Sequence, residues 1–529
     1  MVSIVKSVAL SFAALVVLVS TAQAGRLNPK PPSVLRVRLN ADILSSDPGT
    51  RRDENTDAVL MHVVEGLVAY REDGTVGPML AQSWTVSSDN MTWRFNLRRD
   101  VYFHDGRRMT SAEAMWSIKR YLGMGSLWRC GGETGPKGLA PIIDVSAPSS
   151  DQLVIRTAKP APLLLEILAR PDCGETAILS PSSLGPDGRW KAPIGTGPFR
   201  FGIWKRNQSV QLLRFAGYRS LPGPRDGFTG GKQALVDQVR FLVIPDSSAA
   251  VGAVLRGSLD VLDSLATTDL GALRDRKGRL KSGIRIESAP TEDIYAILLQ
   301  TSDPMLRDIR MRQAIALSVD AKALARAVGW GLMQPNTSFI SRISPYYKAG
   351  KVKMREADIA RARGLAAASG YRGQPIHLVA NHRYPMMFDN AVLVQAMARQ
   401  AGIHIVIDTM DWGAELDHYS RGDYQMMSFA YSARMDPAFT LSPIIGDKAA
   451  DPRKLWSSPH IVSLFNQVMQ SHDPAVRQPL FDQLDAAFQT DVPALVLFNS
   501  TRIAAIRANI TGFQGWRTGL PRYWGVAAR

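Results

Sequence analysis

The chain has 529 residues, 45% apolar and 21% charged. That is ordinary globular composition, long enough for two to four domains of about 100–200 residues, and it excludes a disordered chain, a collagen-like repeat and a disulfide-stapled miniprotein. Lys and Arg outnumber Asp and Glu by 63 to 47, a formal charge of +16, which suits nucleic acid, an anionic membrane surface or acidic ligands, or is simply a diffuse solvated surface.

Met1–Ala24 reads as a secretory signal. Lys6 supplies the positive start, and the apolar run Val8–Val19 is shorter than the roughly 20 residues a membrane span needs. Small residues at Ala22 and Ala24 predict cleavage before Gly25, an uncleaved anchor being the alternative. No later stretch is long enough to span a membrane, so the mature chain is expected to be exported and soluble. A Pro-rich leader, Pro29–Pro32, follows.

Val34–Leu39 alternates like a half-buried strand, and Asn55–Val68 carries Leu60, Val63, Val64 and Leu67 at helical spacing. Trp84-Thr-Val and Trp93–Leu97 alternate about Ser88-Asp89-Asn90, predicting a hairpin. Thr110-Ser-Ala-Glu113 is a capping box, opening a helix to about Leu122. A Gly-rich loop (Gly123–Pro141) precedes a strand at Gln152–Thr157, and Gly195-Thr-Gly-Pro198 precedes strands at Phe199–Trp204 and Val210–Arg214. Val239–Ile244 reads as a strand, then a helix capped at Pro245-Asp-Ser247 runs to about Arg256. Tyr295–Gln300 reads as a buried strand and Met305–Ser318 as an amphipathic helix. Ile376–Ala380, helix Asp389–Ala401 and Ile403–Ile407 form a β-α-β unit, and Leu495–Phe498 is a further buried strand. Strands alternating with helices predict an α/β architecture.

Catalytic and cofactor signatures are absent. There is no GxSxG elbow, no HExxH, no Walker loop and no CxxC pair, and the eight histidines are scattered. No metal site or cofactor is expected. Basic residues do not interleave with aromatics in a groove-like run, which argues against nucleic acid. The two cysteines, Cys130 and Cys173, are either a disulfide, natural in an oxidising compartment, or two buried thiols.

Val76–Leu122 is the most specific stretch: Gly77-Pro-Met-Leu-Ala-Gln-Ser-Trp84, then Trp93-Arg-Phe-Asn-Leu-Arg98, then Val101-Tyr-Phe-His-Asp-Gly106 and Thr110-Ser-Ala-Glu113. It closely resembles the signature of the family 5 extracellular solute-binding proteins of ABC importers, which include dipeptide, oligopeptide and nickel receptors. Asp47-Pro48, Glu65-Gly-Leu67, Gly195-Thr-Gly-Pro-Phe199 and Arg307–Ala316 with Asp320 match further landmarks, in order. Asp105-Gly106 reads physically as a tight turn, Trp84 and Trp93 as core aromatics, and His104 as hydrogen-bonded structure.

The resemblance implies a two-lobed periplasmic-binding-protein fold with an inserted subdomain in the first lobe. The expected division is lobe I at 25–69, the insert at 70–193, lobe I again at 194–286, lobe II at 287–492 and a return to lobe I at 493–529. Cys130 and Cys173 then both fall in the insert, consistent with a local disulfide. The implied function is a monomeric periplasmic receptor that captures a small solute or short peptide between the lobes and delivers it to membrane permease subunits. The alternatives are a peptide or metal-chelate receptor of the same family, and an exported hydrolase using the same cleft.

Resemblance also supplies the candidate ligand residues. Ala430–Pro437, which includes Tyr431 and Ser432, matches a segment where peptide-binding members set a carboxylate against the peptide ammonium; Arg434 stands at that position, or Ala433 with a gap. A guanidinium suits an oxyanion instead. The expectation is therefore a solute with an acidic group, or else an Arg434 latch to a first-lobe acid such as Asp42. Trp412 matches a ligand-packing tryptophan, Arg383-Tyr384 resembles a pair that meets the peptide carboxylate, Trp128 matches an aromatic over the ligand, and Asp42 is placed near the cleft.

Overall fold

A computed structural model describes residues 32–352 and 354–529. The signal segment expected over Met1–Ala24 lies outside the described residues, as does all but the last residue of the Pro-rich leader. In chain order the first part supplies β1 (Val34–Leu39), α1 (Glu54–Leu60), β2 (Ala81–Val86), β3 (Thr92–Leu97), α2 (Ser111–Met124), β4 (Ile142–Ser149), β5 (Gln152–Thr157), β6 (Phe199–Lys205), β7 (Ser209–Arg214), β8 (Gln238–Val243), α3 (Ser247–Arg256) and β9 (Val261–Leu262). The second part supplies β10 (Ile284–Leu299), α4 (Ile309–Ser318), β11 (Ile376–Ala380), α5 (Pro385–Gln400), β12 (Ile405–Thr409), α6 (Trp412–Arg421), β13 (Met426–Tyr431), α7 (Pro474–Asp491) and β14 (Ala494–Arg507).

Eleven strands make one large sheet. Its order is β12-β11-β13-β10-β14-β9-β1-β8-β7-β6, with the short pair Gln334–Pro335 also on β14. β1 runs parallel to β8 and β9, and β11 parallel to β12 and β13. The long strands β10 and β14, antiparallel to each other, join these two parallel regions. Residues 284–290 of β10 pair with 501–507 of β14, beside β9 and β1. Ile294–Leu298 pair instead with Ala494–Asn499 on one side and Met427–Tyr431 on the other, and the register shifts between Pro290 and Ile294. Such an irregularity bends a strand locally.

Alternation buries both faces of this sheet. Ile294, Ala296 and Leu298 enter one apolar cluster, while Ile297 and Leu299 enter another beneath α3 and α4. A separate antiparallel sheet, ordered β2-β3-β5-β4, carries α2 against it. That helix opens on the expected Thr110/Glu113 capping box.

Several elements depart from the sequence reading. The helix expected over Asn55–Val68 stops at Leu60 and returns as strand at Val68–Tyr70. The chain turns there because it must pass under two glycines: a Cβ on Gly195 would lie 2.3 Å from the Val63 carbonyl oxygen, and one on Gly197 2.6 Å from that of His62. α4 starts four residues later than expected because Asp308 caps it, accepting from the Arg310 amide at 2.9 Å. β10 and β14 extend far beyond the short buried runs at Tyr295–Gln300 and Leu495–Phe498.

Three of the landmark segments meet in one place. Glu65, 1% exposed, accepts hydrogen bonds from Thr196 and Tyr218, both at 2.9 Å, and from Lys232 at 3.2 Å. His104 donates through Nε2 to the Gly197 carbonyl at 3.0 Å, and burial pulls its imidazole down to about 4. The His104 and Gly195–Phe199 landmarks therefore lock onto the Glu65 turn as structure.

Candidate functional site

Four chain segments converge on a charged cleft. Asp53 caps α1, its Oδ1 accepting from the Thr56 amide at 2.9 Å and hydroxyl at 2.7 Å. The turn Pro171–Thr176 carries Asp172, and is pinned by a disulfide between Cys130 and Cys173, whose Cα atoms lie 5.4 Å apart. From the other side come the loop after β11, with Arg383 and Tyr384, and the segment after β13, with Ser432 and Arg434.

Two ion pairs cross between these sides. Arg434 Nη2 meets Asp172 at 2.9 Å, and Arg383 meets the free oxygen of Asp53. Arg434 is otherwise committed locally, its Nη1 donating to the Ser432 carbonyl at 2.9 Å, the Ser432 hydroxyl at 2.8 Å and the Ala433 carbonyl at 3.2 Å. Burial pulls this guanidinium down to about 10, with Asp172 opposing, so it stays charged near neutrality. Asp172 also accepts from Arg170 at 2.7 and 3.0 Å and has Arg129 at 3.5 Å. Burial alone would raise this carboxyl; Arg170, then Arg434 and Arg129, hold it well below the usual range. Glu133 takes the remaining contacts of Arg170 and Arg129, at 3.0 and 3.3 Å, and Arg52 pairs with Asp57 alongside.

Below Arg434 lies the irregularity in β10. Asp293 accepts from the Ala433 amide at 2.7 Å and from the Thr291 hydroxyl at 2.7 Å. Burial pushes its carboxyl up to about 6 against those bonds and the field of Arg434.

The wall on the Arg383 side bears an open depression of about 600 Å³, lined by His382, Arg383, Met410, Asp411 and Trp412 among others. Trp412 opens α6 behind the Asp411 cap, edge-on to Tyr384 with centroids 5.0 Å apart and stacked on Phe429 at 5.8 Å. Trp412 Nε1 and Arg383 Nε are both buried without a hydrogen-bond partner. They share this state with other buried donors, among them Trp93 Nε1 and Trp524 Nε1, but belong to residues that line the pocket.

Other expected ligand residues sit elsewhere or act as packing. Asp42 does not meet Arg434: it accepts from Trp204 Nε1 and the Asn207 amide, both at 2.9 Å, and so ties down the β6–β7 hairpin. Trp128 does not lie open over a ligand. It is 1% exposed, donates to the Cys173 carbonyl at 3.0 Å and packs on Tyr121, because the Gly-rich loop folds back beneath the disulfide. Tyr431 is buried against Phe429 and Tyr419. Ser432 serves Arg434. Asp172 and Asp53, the acids that meet the two arginines, were missed. Asp53 carries a readable signal as a helix cap; Asp172 carries only its place beside Cys173.

A protein-family model, bacterial extracellular solute-binding proteins, family 5 middle, matches residues 75–451. The probable di/tripeptide-binding protein 5 of Pseudomonas aeruginosa (strain UCBPP-PA14) is 24% identical over 507 residues, covering 89% of this chain and 90% of the relative. The glutathione-binding protein GsiB of Salmonella choleraesuis (strain SC-B67) is 22% identical over 496 residues, covering 90% and 91%. Among solved structures, DppA of Helicobacter pylori in complex with the peptide STSA superposes with a TM-score of 0.81 at 21% identity, covering 94% of this chain and 98% of its own. AgaA of A. tumefaciens R10 in complex with agropinic acid gives 0.78 at 23% identity, covering 94% and 99%. These likenesses establish the two-lobed α/β fold, and the family match over most of the length, on top of the landmark cluster at Glu65, makes the chain a member of the bacterial extracellular solute-binding proteins of family 5.

Proposed function

We propose that this protein is the periplasmic receptor of an ABC importer, closing its lobes over a small anionic solute or the carboxylate end of a short peptide and handing it to the permease. The observation that carries the solute class is the pair of buried donors without acceptors, Arg383 Nε and Trp412 Nε1, beside the pocket. A carboxylate admitted to the pocket would offer these donors acceptors, whereas an ammonium would add a third donor. The sequence comparison had put this role on Arg434, which Asp172 occupies here. Arg434 takes instead the role of a clasp between lobes. The AgaA neighbour, solved with agropinic acid, and the di/tripeptide-binding relative are compatible with this class.

In this reading the lobes hinge where β10 changes partners, between Pro290 and Ile294, and at the facing residues of β14. Binding energy does the work and no chemistry is required, so a cleft of ion pairs and stacked rings is read as a binding site and not a catalytic one. Isothermal titration with a set of peptides tests the proposal. N-acetylated peptides should bind like free ones, and C-amidated peptides should lose at least tenfold. The reverse pattern would overturn it.

A further inference from the structure

We propose that a basic loop, Arg274–Lys281, together with Trp330, seats the protein on an anionic lipid surface. This goes beyond solute capture and uses none of the cleft residues. The loop reads Arg-Asp-Arg-Lys-Gly-Arg-Leu-Lys, five cations and one acid in eight residues. All five cations are exposed, with Leu280 38% exposed among them. The single acid is tied into the loop: Asp275, its side chain 34% exposed, accepts from the amides of Lys277 at 2.8 Å and Arg279 at 3.0 Å, and pairs with the Arg279 side chain. Arg274 and Lys281 brace the turn through the Gly278 and Ala272 carbonyls. Arg276 and Lys277 enter no ion pair among the described residues. The loop is thus a preformed ring of positive charge, costing little further ordering on contact.

The helix bonded to the turns before the loop ends in an exposed tryptophan. The turns Thr267–Leu273 lead directly into the loop, and Thr267 donates to the Val328 carbonyl at 2.9 Å. Two residues on, Trp330 ends the helix Ala321–Gly329 with φ +49°, a left-handed conformation costly for a bulky side chain. It is 66% exposed and next to the exposed Leu332. Indoles favour the headgroup layer, where an apolar body and a polar N–H are both satisfied. Cations with an interfacial tryptophan match an anionic bilayer better than the flat acidic face of a protein. Such a seat would confine the receptor's search for its permease to the membrane plane.

Co-sedimentation with phosphatidylcholine vesicles, with and without phosphatidylglycerol, tests this. Binding is expected only with phosphatidylglycerol, and to fade with added salt. At about fivefold per cation, the Arg276→Glu/Lys277→Glu pair should weaken binding at least about 25-fold, and Trp330→Ser should weaken it several-fold. The same charge change at Lys137→Glu/Lys159→Glu should weaken it far less. Equal binding to neutral vesicles, an equal effect of the two charge-reversed pairs, or no binding at all would overturn the proposal, the last leaving an acidic protein as the loop's partner.

Discussion

Asp172 is held by three guanidinia at once, so its removal strands buried positive charge. Asp172→Asn should destabilise the protein by about 3–5 kcal/mol, the range for breaking a buried pair, measured by urea unfolding. Combining it with Arg434→Leu should recover part of the loss, because one orphaned cation goes too. A loss no larger than that of an exposed pair would contradict the burial argument. Glu175, in the same turn, has both carboxylate oxygens buried and unpaired. Burial pushes its carboxyl up to about 8, with Lys232 opposing. An unfolded glutamate titrates near ~4.3, so between those values the folded state holds a proton that the unfolded chain releases. Its contribution is complete below about 4.3 and is lost as pH rises to about 8. Glu175→Gln should therefore flatten the fall in stability between pH 5 and 8 by a few kcal/mol, read from denaturation midpoints against wild type. Parallel pH curves would reject the assignment.

At the scale of elements, α1 shows how one residue serves both a helix and the cleft. Asp53 gives one oxygen to the cap and the other to Arg383. Asp53→Ser keeps a good cap and loses the ion pair; Asp53→Ala loses both. Thermal melts should then separate the two variants by about 1 kcal/mol, the usual worth of a cap, and a difference near zero would show the cap contributes nothing. Caps of this kind were legible in the residue pattern. The Thr110/Glu113 box and the Asp246 cap stand where the capping residues placed them, and the β11-α5-β12 unit is present with its helix starting at Pro385, four residues earlier than expected, and its second strand two residues later. The long strands were not legible, and for a physical reason. Ile294–Leu299 and Ala494–Phe498 read as apolar runs, while 284–290 is largely half-exposed and mixes polar residues, and the buried Ile503–Ile506 is a four-residue apolar patch closed off by Arg502 and Arg507. The site was half legible. Both arginines and Trp412 could be named from the landmark order, but their acidic partners lie more than 200 residues away in the chain and share no local pattern with them.

For the whole molecule, what matters is how the clasps and the bend in β10 act together. On the proposed reading Arg383–Asp53 and Arg434–Asp172 both bridge the lobes; Asp293 at the bend holds the amide of Ala433, next to Arg434. Closure at the cleft and the set of the hinge are thus mechanically continuous over three residues. Partly buried charge pairs are screened only weakly by salt, so they should hold the lobes together without solute. Each clasp, at about 1.5–3 kcal/mol for a charge-assisted bond, would shift the balance of closed and open forms by roughly ten- to a hundredfold. Arg383→Met/Arg434→Met should therefore open the solute-free protein, raising its radius of gyration in small-angle scattering, while the wild type stays compact at moderate salt. If the radius is unchanged, the clasps do not set the balance and the hinge at β10 does. Replacing Asp293 by Asn separates the two. It keeps an acceptor for Ala433 but removes the charge that opposes Arg434, so it should leave the clasps intact and the radius at the wild-type value.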